Sequence, residues 1–287
     1  MIDISIIIVT YNSAEDIKAC LDSVLGETGT RKEVIVVDNN SSDETVNILH
    51  QYSSRIKIIY STRNLGYAKA NNAGFKKANG KYIFLLNPDA IVNYGALGKM
   101  FAFMERNKEI IALGPLVLNP DGSIQPSVRR FPNYTILFLE LTGLSRIFPS
   151  SAIFNRWKMP GFDSSEIQEV EQPMASAFLL RKSFFNKEIM DEGFSMFFND
   201  VDLCFRIYKE GGKIVFLPSA SVVHKRGRST GMAKERMIPL HTKGLLRFLW
   251  KHKKCFKDKF LFLLFLPWIM INTIMRILLL RFSNIDF

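Results

Sequence analysis

Cysteine and histidine are scarce in this chain, three and four among 287 residues. Cys20, Cys204 and Cys255 lie far apart, with neither metal-ligand spacing nor an even disulfide framework, which fits a reducing cytoplasm. Glycine-rich phosphate loops are missing as well. The first strand-like run ends in Thr10-Tyr11-Asn12-Ser13, with no G-x-G-x-x-G, so a dinucleotide pyrophosphate has no close approach to the following helix; a P-loop lysine motif is also absent. No basic stretch precedes the first apolar run, so no signal peptide is expected. Internal repeats and low-complexity linkers do not occur.

Apolar residues are plentiful. A hydrophobic content of 47% with 12% aromatics supplies a core and excludes disorder, and the length suits one large α/β domain with additions or two small domains. The net charge of +11 is confined to one end. From Lys225 onward there are 14 Lys or Arg against three acids, while residues 1–224 balance 24 of each. A basic tail suits either nucleic acid or an anionic membrane. The cluster Lys251-His252-Lys253-Lys254, continued by Lys257 and Lys259, runs into the uncharged Phe260–Met275. That juxtaposition favours a membrane surface over nucleic acid. Phe260–Met275 is 16 residues, short of the roughly 20 needed for a crossing, and Pro267, Asn272 and Arg276 interrupt it. Interfacial or re-entrant association is expected rather than a clean span.

Strand and helix signals alternate along the first third. Ile4–Val9, Glu33–Val37, Arg55–Tyr60 and Lys81–Leu86 read as buried strands, with helices from about Ala14 to Leu25, from near Asp43, and over Tyr67–Ala78. This spacing predicts a mainly parallel sheet with right-handed crossovers. A helix to about Asn107 and a strand over Ile110–Leu118 follow. Residues 125–172 lose periodicity and read as a loop-and-helix insertion near the site. Order returns at Val170–Leu180, followed by a helix over Ser183–Ile189, another from about Asp200 to Lys209, and two short strands, Lys213–Phe216 and Ser221–His224.

The apolar run Tyr82–Leu86 stops at Asn87-Pro88-Asp89. Taken alone, this tripeptide is a good turn former. It also delivers a carboxylate to the carboxyl edge of a buried strand, where open α/β sheets bind ligands and where an acid can hold a divalent cation against a phosphate. The loops Thr10–Ser13 and Asp38–Asp43 share that edge. Asp38, at the end of a second strand, stands where a ribose-binding acid would sit, but its glycine-rich partner is missing.

Six blocks now fall in register: Ser5–Asn12 (S-I-I-I-V-T-Y-N), Val37–Glu44 (V-D-N-N-S-S-D-E), Asn64–Gly74 (N-L-G-Y-A-K-A-N-N-A-G), Leu85–Ala90 (L-L-N-P-D-A), Ala175–Lys182 (A-S-A-F-L-L-R-K) and Asp191–Arg206 with its N-D-V-D-L-C core. Together they resemble the inverting GT-A glycosyltransferases of family 2 over roughly residues 3–230. Asn-Pro-Asp, with Gly122-Ser123-Ile124-Gln125 and Arg129-Arg130-Phe131-Pro132 downstream, is most similar to the bacterial rhamnosyltransferase branch. The resemblance implies an α/β GT-A nucleotide-diphospho-sugar transferase fold over 1–240, followed by a basic, apolar membrane-associating extension over 241–287. It further implies a dTDP or UDP sugar donor, Mg²⁺ or Mn²⁺, and a saccharide or lipid-linked acceptor at the cytoplasmic side of the cell membrane, with the chain peripheral or held by a C-terminal membrane segment.

Residue roles follow from the same resemblance. Asp38 would accept from the imide N–H of a uracil or thymine ring, Thr10 and Tyr11 would line the base pocket, and Asn64 would belong to the nucleotide-sugar site. Asp89 would coordinate the metal. Asn87 stands where many relatives carry the first acid of a D-x-D and is assigned to ribose. Asp200 would be the general base that deprotonates the acceptor hydroxyl. The usual acid before it is replaced by Asn199, whose role is open. His224 is a structural histidine by residue type alone and a metal ligand by resemblance. Arg228 and Lys225 would reach the diphosphate, unless they form a solvated basic face; Arg129 and Arg130 could touch donor phosphate or an anionic acceptor. Asp202 reads as a capping or pairing acid. Cys20 and Cys204 read as core residues; Trp157, Phe194, Phe197 and Phe198 could stack against sugar, although aromatics at such spacing are more often core. L-Rhamnose from a dTDP donor is the first choice of substrate, with a UDP-hexose or UDP-N-acetylhexosamine second, and a non-catalytic GT-A-like partner of a polysaccharide assembly complex the rival class.

Overall fold

Strand β1 (Ile4–Thr10) is seven consecutive buried residues, four of them Ile, a run that only a strand covered on both faces can accommodate. The structure, a computed structural model, describes residues 1–225 and 234–283. After β1 come α1 (Ile17–Gly26), β2 (Lys32–Asp38), α2 (Thr45–Gln51), β3 (Lys57–Tyr60), α3 (Tyr67–Lys77) and β4 (Tyr82–Leu86). Next are β5 (Ala90–Val92), α4 (Ala96–Arg106) and β6 (Ile110–Leu118), then β7 (Val128–Arg129), α5 (Tyr134–Leu141), α6 (Leu144–Ile147), β8 (Gln168–Glu169) and β9 (Gln172–Pro173). The chain continues through β10 (Ala177–Arg181), α7 (Asn199–Lys209), β11 (Lys213–His224), α8 (Lys234–Lys251) and α9 (Phe256–Ser283).

The main sheet runs β3-β2-β1-β4-β10-β6-β11-β5, with β8 paired to β11. Strands β1 to β4 are mutually parallel, β10 is antiparallel to both β4 and β6, and β6 and β11 are parallel. The sheet is therefore mainly parallel, as expected, with β10, β5 and β8 reversed. Because β10 runs backwards, its start meets the end of β4: Ala177 pairs with Leu86, and Ser176 accepts from the Asn87 N–H at 2.9 Å.

Alternation along the strands divides the core. Ile4, Ile6, Ile8, Phe84 and Leu86 face a cluster with α1, α2 and α4; Ile7, Ile83 and Leu85 face one built with α3, α7 and α8. Arg181 ends β10 at the opposite edge, buried, with its guanidinium donating to the carbonyls of Ile110, Met104 and Asn107 and to the Tyr82 hydroxyl. It closes the bottom of the sheet, and the Arg in the A-S-A-F-L-L-R-K block is thus an architectural residue. Gly80 is required there too, since a Cβ would lie 2.4 Å from the Ser5 nitrogen.

Two expectations are corrected. Ser183–Ile189 is not a helix: a single 3₁₀ turn covers Lys182–Phe184, and the Asn72 side chain from α3 accepts from the N–H groups of Ile189 and Met190, drawing that segment out of helical bonding. Lys213–Phe216 and Ser221–His224 are one strand, β11, whose register shifts between Leu217 and Ser221. Pro218 falls in that irregularity, where a missing N–H is tolerated.

The boundary expected after residue 240 falls inside α8. This helix buries Phe248 and Leu249 in the second cluster, and its last residue, Lys251, with His252 just beyond it, reaches Asp202 at 2.7 and 2.8 Å. Asp202 is a pairing acid, with no side-chain exposure and Arg206 as a third partner at 3.0 Å. Burial would raise its pKa, but bonds from His252 and Lys251 outweigh that and hold it below the ordinary carboxylate range. Asp202→Ala leaves three donors around an empty acceptor and is expected to cost about 3–5 kcal/mol in denaturant unfolding. A depressed pKa stabilises the fold above the ordinary carboxylate range and loses that stability as pH falls through the folded value. The difference between wild type and variant should accordingly shrink in acid.

Candidate active site

All forward strands end on one edge, and β10 begins there, so the loops after β1, β2, β4 and β11 converge with the segment before β10. A cleft of about 680 Å³ opens on this edge, lined by Tyr11, Asn39, Asn64, Asn87 and Asp200, with Phe197 and Leu240 on its far side.

On the β2 side, Asp38 is buried. Its Oδ1 accepts from the hydroxyls of Thr10 (2.9 Å) and Ser41 (2.6 Å), and its Oδ2 from the Ser41 N–H (3.0 Å). An ionised carboxylate has about four acceptor positions, so Oδ2 retains one. Thr10 is wholly buried with its hydroxyl turned onto Asp38, while Tyr11 is exposed in the cleft. Asn64 is held by its own loop: its Oδ1 accepts from Asn39 Nδ2 (3.0 Å) and the Gly66 N–H (2.9 Å), and Asn39 accepts from Leu65 N–H at 2.7 Å. Gly66 has φ +81, and a Cβ there would press on the Ser195 carbonyl at 3.1 Å. Asn39 thus ties this loop to the end of β2, and Gly66 lets it lie close against the segment that leads to Asp200.

On the β4 side, antiparallel pairing of β5 with β11 puts Ala90 opposite His224 and so carries the histidine to Asp89. Gln125 orients it. The Gln125 amide nitrogen donates to Asn119 Oδ1 (2.8 Å) and the His224 carbonyl (3.2 Å), leaving its Oε1 3.0 Å from His224 Nδ1. Nδ1 is thus assigned the proton, and Nε2 turns a lone pair towards Asp89 Oδ1 at 3.3 Å. Both Asp89 oxygens are buried and lack a hydrogen-bond partner among the described residues. A buried carboxylate beside an imidazole lone pair is a donor pair that could hold a divalent cation, and the carboxylate oxygen is the donor that suits Mg²⁺ or Mn²⁺. No group of three metal-ligating residues gathers among the described residues, so a cation here would draw its remaining ligands from elsewhere.

Asn87 is shared: Tyr67 Oη donates to its Oδ1 at 3.4 Å, and its Nδ2 lies 3.4 Å from His224 Nε2. Across the cleft, Phe198 adopts φ +68 ahead of α7, an unusual state for an aromatic residue, and this turn leads the chain into Asp200. The Asp200 carboxylate accepts from the Val201 N–H at 2.9 Å and also from the Ala175 N–H, yet burial raises its pKa despite those bonds. Tyr67 lies between the acids. Its pKa is pushed up by burial, then by the charge of Asp200, with a smaller contribution from Asp89.

The structure therefore brings Tyr11, Asn64, Asn87 and Asp200 to one cleft, with Asp89 and His224 packed at its β4 edge and Thr10 and Asp38 behind its β2 edge. Arg228 lies outside the described residues. Lys225 is paired with Asp16 at 2.9 Å rather than turned to the cleft. Arg129 stacks over Trp157 and Arg130 pairs with Glu171. Tyr67 and Gln125 carry site geometry that sequence reasoning gave no role, although both stand inside motif blocks, N-L-G-Y-A and G-S-I-Q. Asn199 is buried, donating to the Met196 carbonyl at 2.9 Å, with no partner for its Oδ1 among the described residues.

A mainly parallel sheet whose carboxyl edge gathers Asp38, Asp89 and Asp200 around one cleft has the architecture of the GT-A glycosyltransferases. Solved structures share the fold: GalNAc-T7 with UDP, GalNAc and Mn²⁺ (TM-score 0.61, 16% identity, 85% of this chain and 48% of that one) and S. aureus TarS 1–349 in complex with UDP (TM-score 0.57, 17% identity, 92% and 70%). The family model for glycosyl transferase family 2 matches residues 5–159, and the chain belongs to that family. Among its curated relatives are the N-acetylglucosaminyl-diphospho-decaprenol L-rhamnosyltransferase of Mycobacterium tuberculosis, 27% identical over 85% of this chain and 83% of the relative, and the low-salt glycan biosynthesis hexosyltransferase Agl10 of Haloferax volcanii, 26% identical over 78% and 67%.

Proposed function

We propose that the protein is a metal-dependent, inverting glycosyltransferase that moves L-rhamnose from dTDP-rhamnose onto a hydroxyl of a saccharide or lipid-linked acceptor at the cytoplasmic face of the cell membrane. The observation that carries this reading is the buried Asp89 carboxylate, without a hydrogen-bond partner among the described residues and facing His224, on the same sheet edge as Asp200. Asp89 and His224 would hold Mg²⁺ or Mn²⁺, which supplies neutralisation of the negative charge that builds on the departing diphosphate. Asp38, backed by Thr10 and Ser41, keeps one acceptor position for a pyrimidine imide N–H, with Tyr11 beside the base. Asn87 would bond the ribose. Asp200 takes the proton from the acceptor hydroxyl, and a single displacement with one base inverts the anomeric carbon. Arg228 is proposed for the diphosphate on family resemblance alone. Residues 1–240 would form the catalytic unit and 241–287 the membrane-associating part, with α8 tying the two together.

Rhamnose rests on the branch resemblance and on the mycobacterial relative. A UDP-hexose or UDP-N-acetylhexosamine is the second reading, favoured by the likeness to TarS, also solved with UDP-GlcNAc (TM-score 0.55, 18% identity, 93% of this chain and 72% of that one). Incubation with a panel of nucleotide sugars and a membrane lipid extract separates the two. Fastest nucleoside diphosphate release from dTDP-rhamnose supports the first; a clear preference for a UDP sugar moves the assignment to the second. The anomeric configuration of the product, read by NMR, tests inversion.

Gln125→Leu removes the acceptor for His224 Nδ1 while keeping an apolar side chain of similar size. Loss of such a supporting bond lowers metal affinity or activity by about 10- to 100-fold. Titration of Mn²⁺ against turnover should show a raised half-saturation point with little change in maximal rate at saturating metal.

A further inference from the structure

Helix α9 presents its apolar side outward. It is long and apolar enough to cross a membrane: an 18-residue window within Phe256–Leu280 has a mean hydropathy of 2.0, yet only 11% of that window is buried. Its docked face includes Ile269 and Thr273, the Thr273 hydroxyl meets Thr242 of α8 at 2.8 Å, and the Arg276 charge acts on His241 of α8. The opposite face exposes Leu263, Leu264, Trp268, Ile271, Met275 and Leu279. A second apolar element adjoins it. Tyr134 of α5 packs on Phe265 (5.5 Å between ring centroids) and donates to the Asp258 carbonyl at 3.0 Å; beyond it Phe138, Ile147, Phe148 and Ile153 are exposed, Ile147 at 66% and Ile153 at 70%. Exposed Lys254, Lys257, Lys259 and Arg146 accompany this surface, and Lys253 stacks on the half-exposed Trp250 at 3.6 Å.

At 1.5 Å per residue the 28 residues of α9 extend about 42 Å, so length alone permits a crossing of the roughly 30 Å hydrocarbon layer. The docked face argues otherwise. Crossing while packed on α8 would draw Lys243, Arg247 and Lys251 of α8, and Asp191, which pairs with the last two, into hydrocarbon, where ionised groups are costly.

We infer that α9 lies in the plane of one leaflet of an anionic membrane, its outer face sunk to acyl depth, and that Phe138 with residues 147–153 forms a second foot on the same surface. The occupant is a lipid surface because large apolar side chains and flanking lysines coincide. This deepens the membrane part of the proposed function, on which it rests. It also sets the height of the active site: only α8 separates α9 from the cleft, since the His241 ring packs on Phe197 and Phe198 at 5.6 and 5.1 Å and Leu240 lines the opening. An acceptor anchored in the same leaflet would meet the cleft about one helix diameter, roughly 10 Å, above the surface.

The native Cys255, at the turn between α8 and α9, provides a topological test, because Cys20 and Cys204 are buried. Full-length protein carrying Ser283→Cys, with or without Cys255→Ser, is added to vesicles containing phosphatidylglycerol and treated with a membrane-impermeant maleimide. An in-plane helix leaves both positions labelled before detergent is added. A position 283 labelled only after detergent overturns the in-plane arrangement and leaves membrane association standing. Phe138→Glu/Ile147→Glu, at two exposed positions, should weaken vesicle binding by about tenfold with unchanged thermal unfolding. Unchanged binding removes the second foot. Absence of wild-type binding to any vesicle, or a stable dimer that takes up the α9 face, overturns the inference and the membrane reading together.

Discussion

Asp200→Asn is expected to lower turnover by about 10² to 10⁴, the range that a positioned general base contributes. Affinity for a nucleoside diphosphate should stay within about twofold of wild type on the same grounds, because the base acts on the acceptor hydroxyl and not on the donor. Stability should move the opposite way from activity. Burial raises the Asp200 pKa, so the ionised form required for catalysis costs folding stability at neutral pH, and a neutral amide of the same shape relieves that cost. The variant should melt at the same temperature or higher. The acid limb of the wild-type rate profile should lie above the ordinary carboxylate range, since a base with a raised pKa is protonated, and inactive, up to a higher pH. Near wild-type turnover in Asp200→Asn would remove Asp200 from the mechanism.

Asp89→Asn should separate chemistry from folding still more sharply. The two carboxylate oxygens are buried without a hydrogen-bond partner among the described residues, a state that serves no folding purpose. Replacing the charge by an amide is expected to leave the melting temperature unchanged or raised, while activity falls by about three orders of magnitude, the several kcal/mol that a bound cation contributes to leaving-group stabilisation. Isothermal titration with UDP or dTDP in Mn²⁺ is the second readout. The wild type should bind the nucleotide more tightly with Mn²⁺ than after chelation, and the variant should show no difference. A strongly destabilised Asp89→Asn protein, with metal-dependent nucleotide binding intact, would reassign Asp89 to a structural role.

Much of this site was legible from local chemistry. Ile4–Val9, Val34–Val37 and Tyr82–Leu86 are fully covered runs whose composition leaves little choice of structure, and the polar residues that end them, Thr10, Asp38 and Asn87-Pro88-Asp89, fall on one edge as a parallel arrangement requires. What escaped depends on contacts between distant residues. The β10 run Ala177–Arg181 reads as a buried strand in either direction, and only its pairing with β4 shows that it runs backwards and brings Ala175 and Ser176 to the site. The three-residue strand β5 hides inside what reads as a turn, so nothing local indicates that it seats His224 beside Asp89. Gln125 meets His224 from 99 positions away. Ser183–Ile189 has an acceptable helical composition, and Asn72, 117 positions before Ile189, overrides it. Pro218 reads as the end of a strand and is instead tolerated at the irregularity of a longer one.

The scarcity of histidine and cysteine gains meaning here. If Asp89 and His224 are the ligands among the described residues, as proposed, they would not saturate a cation, which suits an ion that arrives with a diphosphate. Thiolate or multi-histidine ligation would hold the ion permanently and suit a structural role.

The most direct measurement is nucleoside diphosphate release by the full-length protein supplied with dTDP-rhamnose, a lipid extract as acceptor, and Mg²⁺ or Mn²⁺, repeated after chelation. The account predicts release that needs both metal and acceptor, stops with EDTA and returns when metal is restored. Equal release in the presence of EDTA would contradict the assignment of Asp89 and His224, and no release with dTDP-rhamnose or any UDP sugar would contradict the proposed transfer itself.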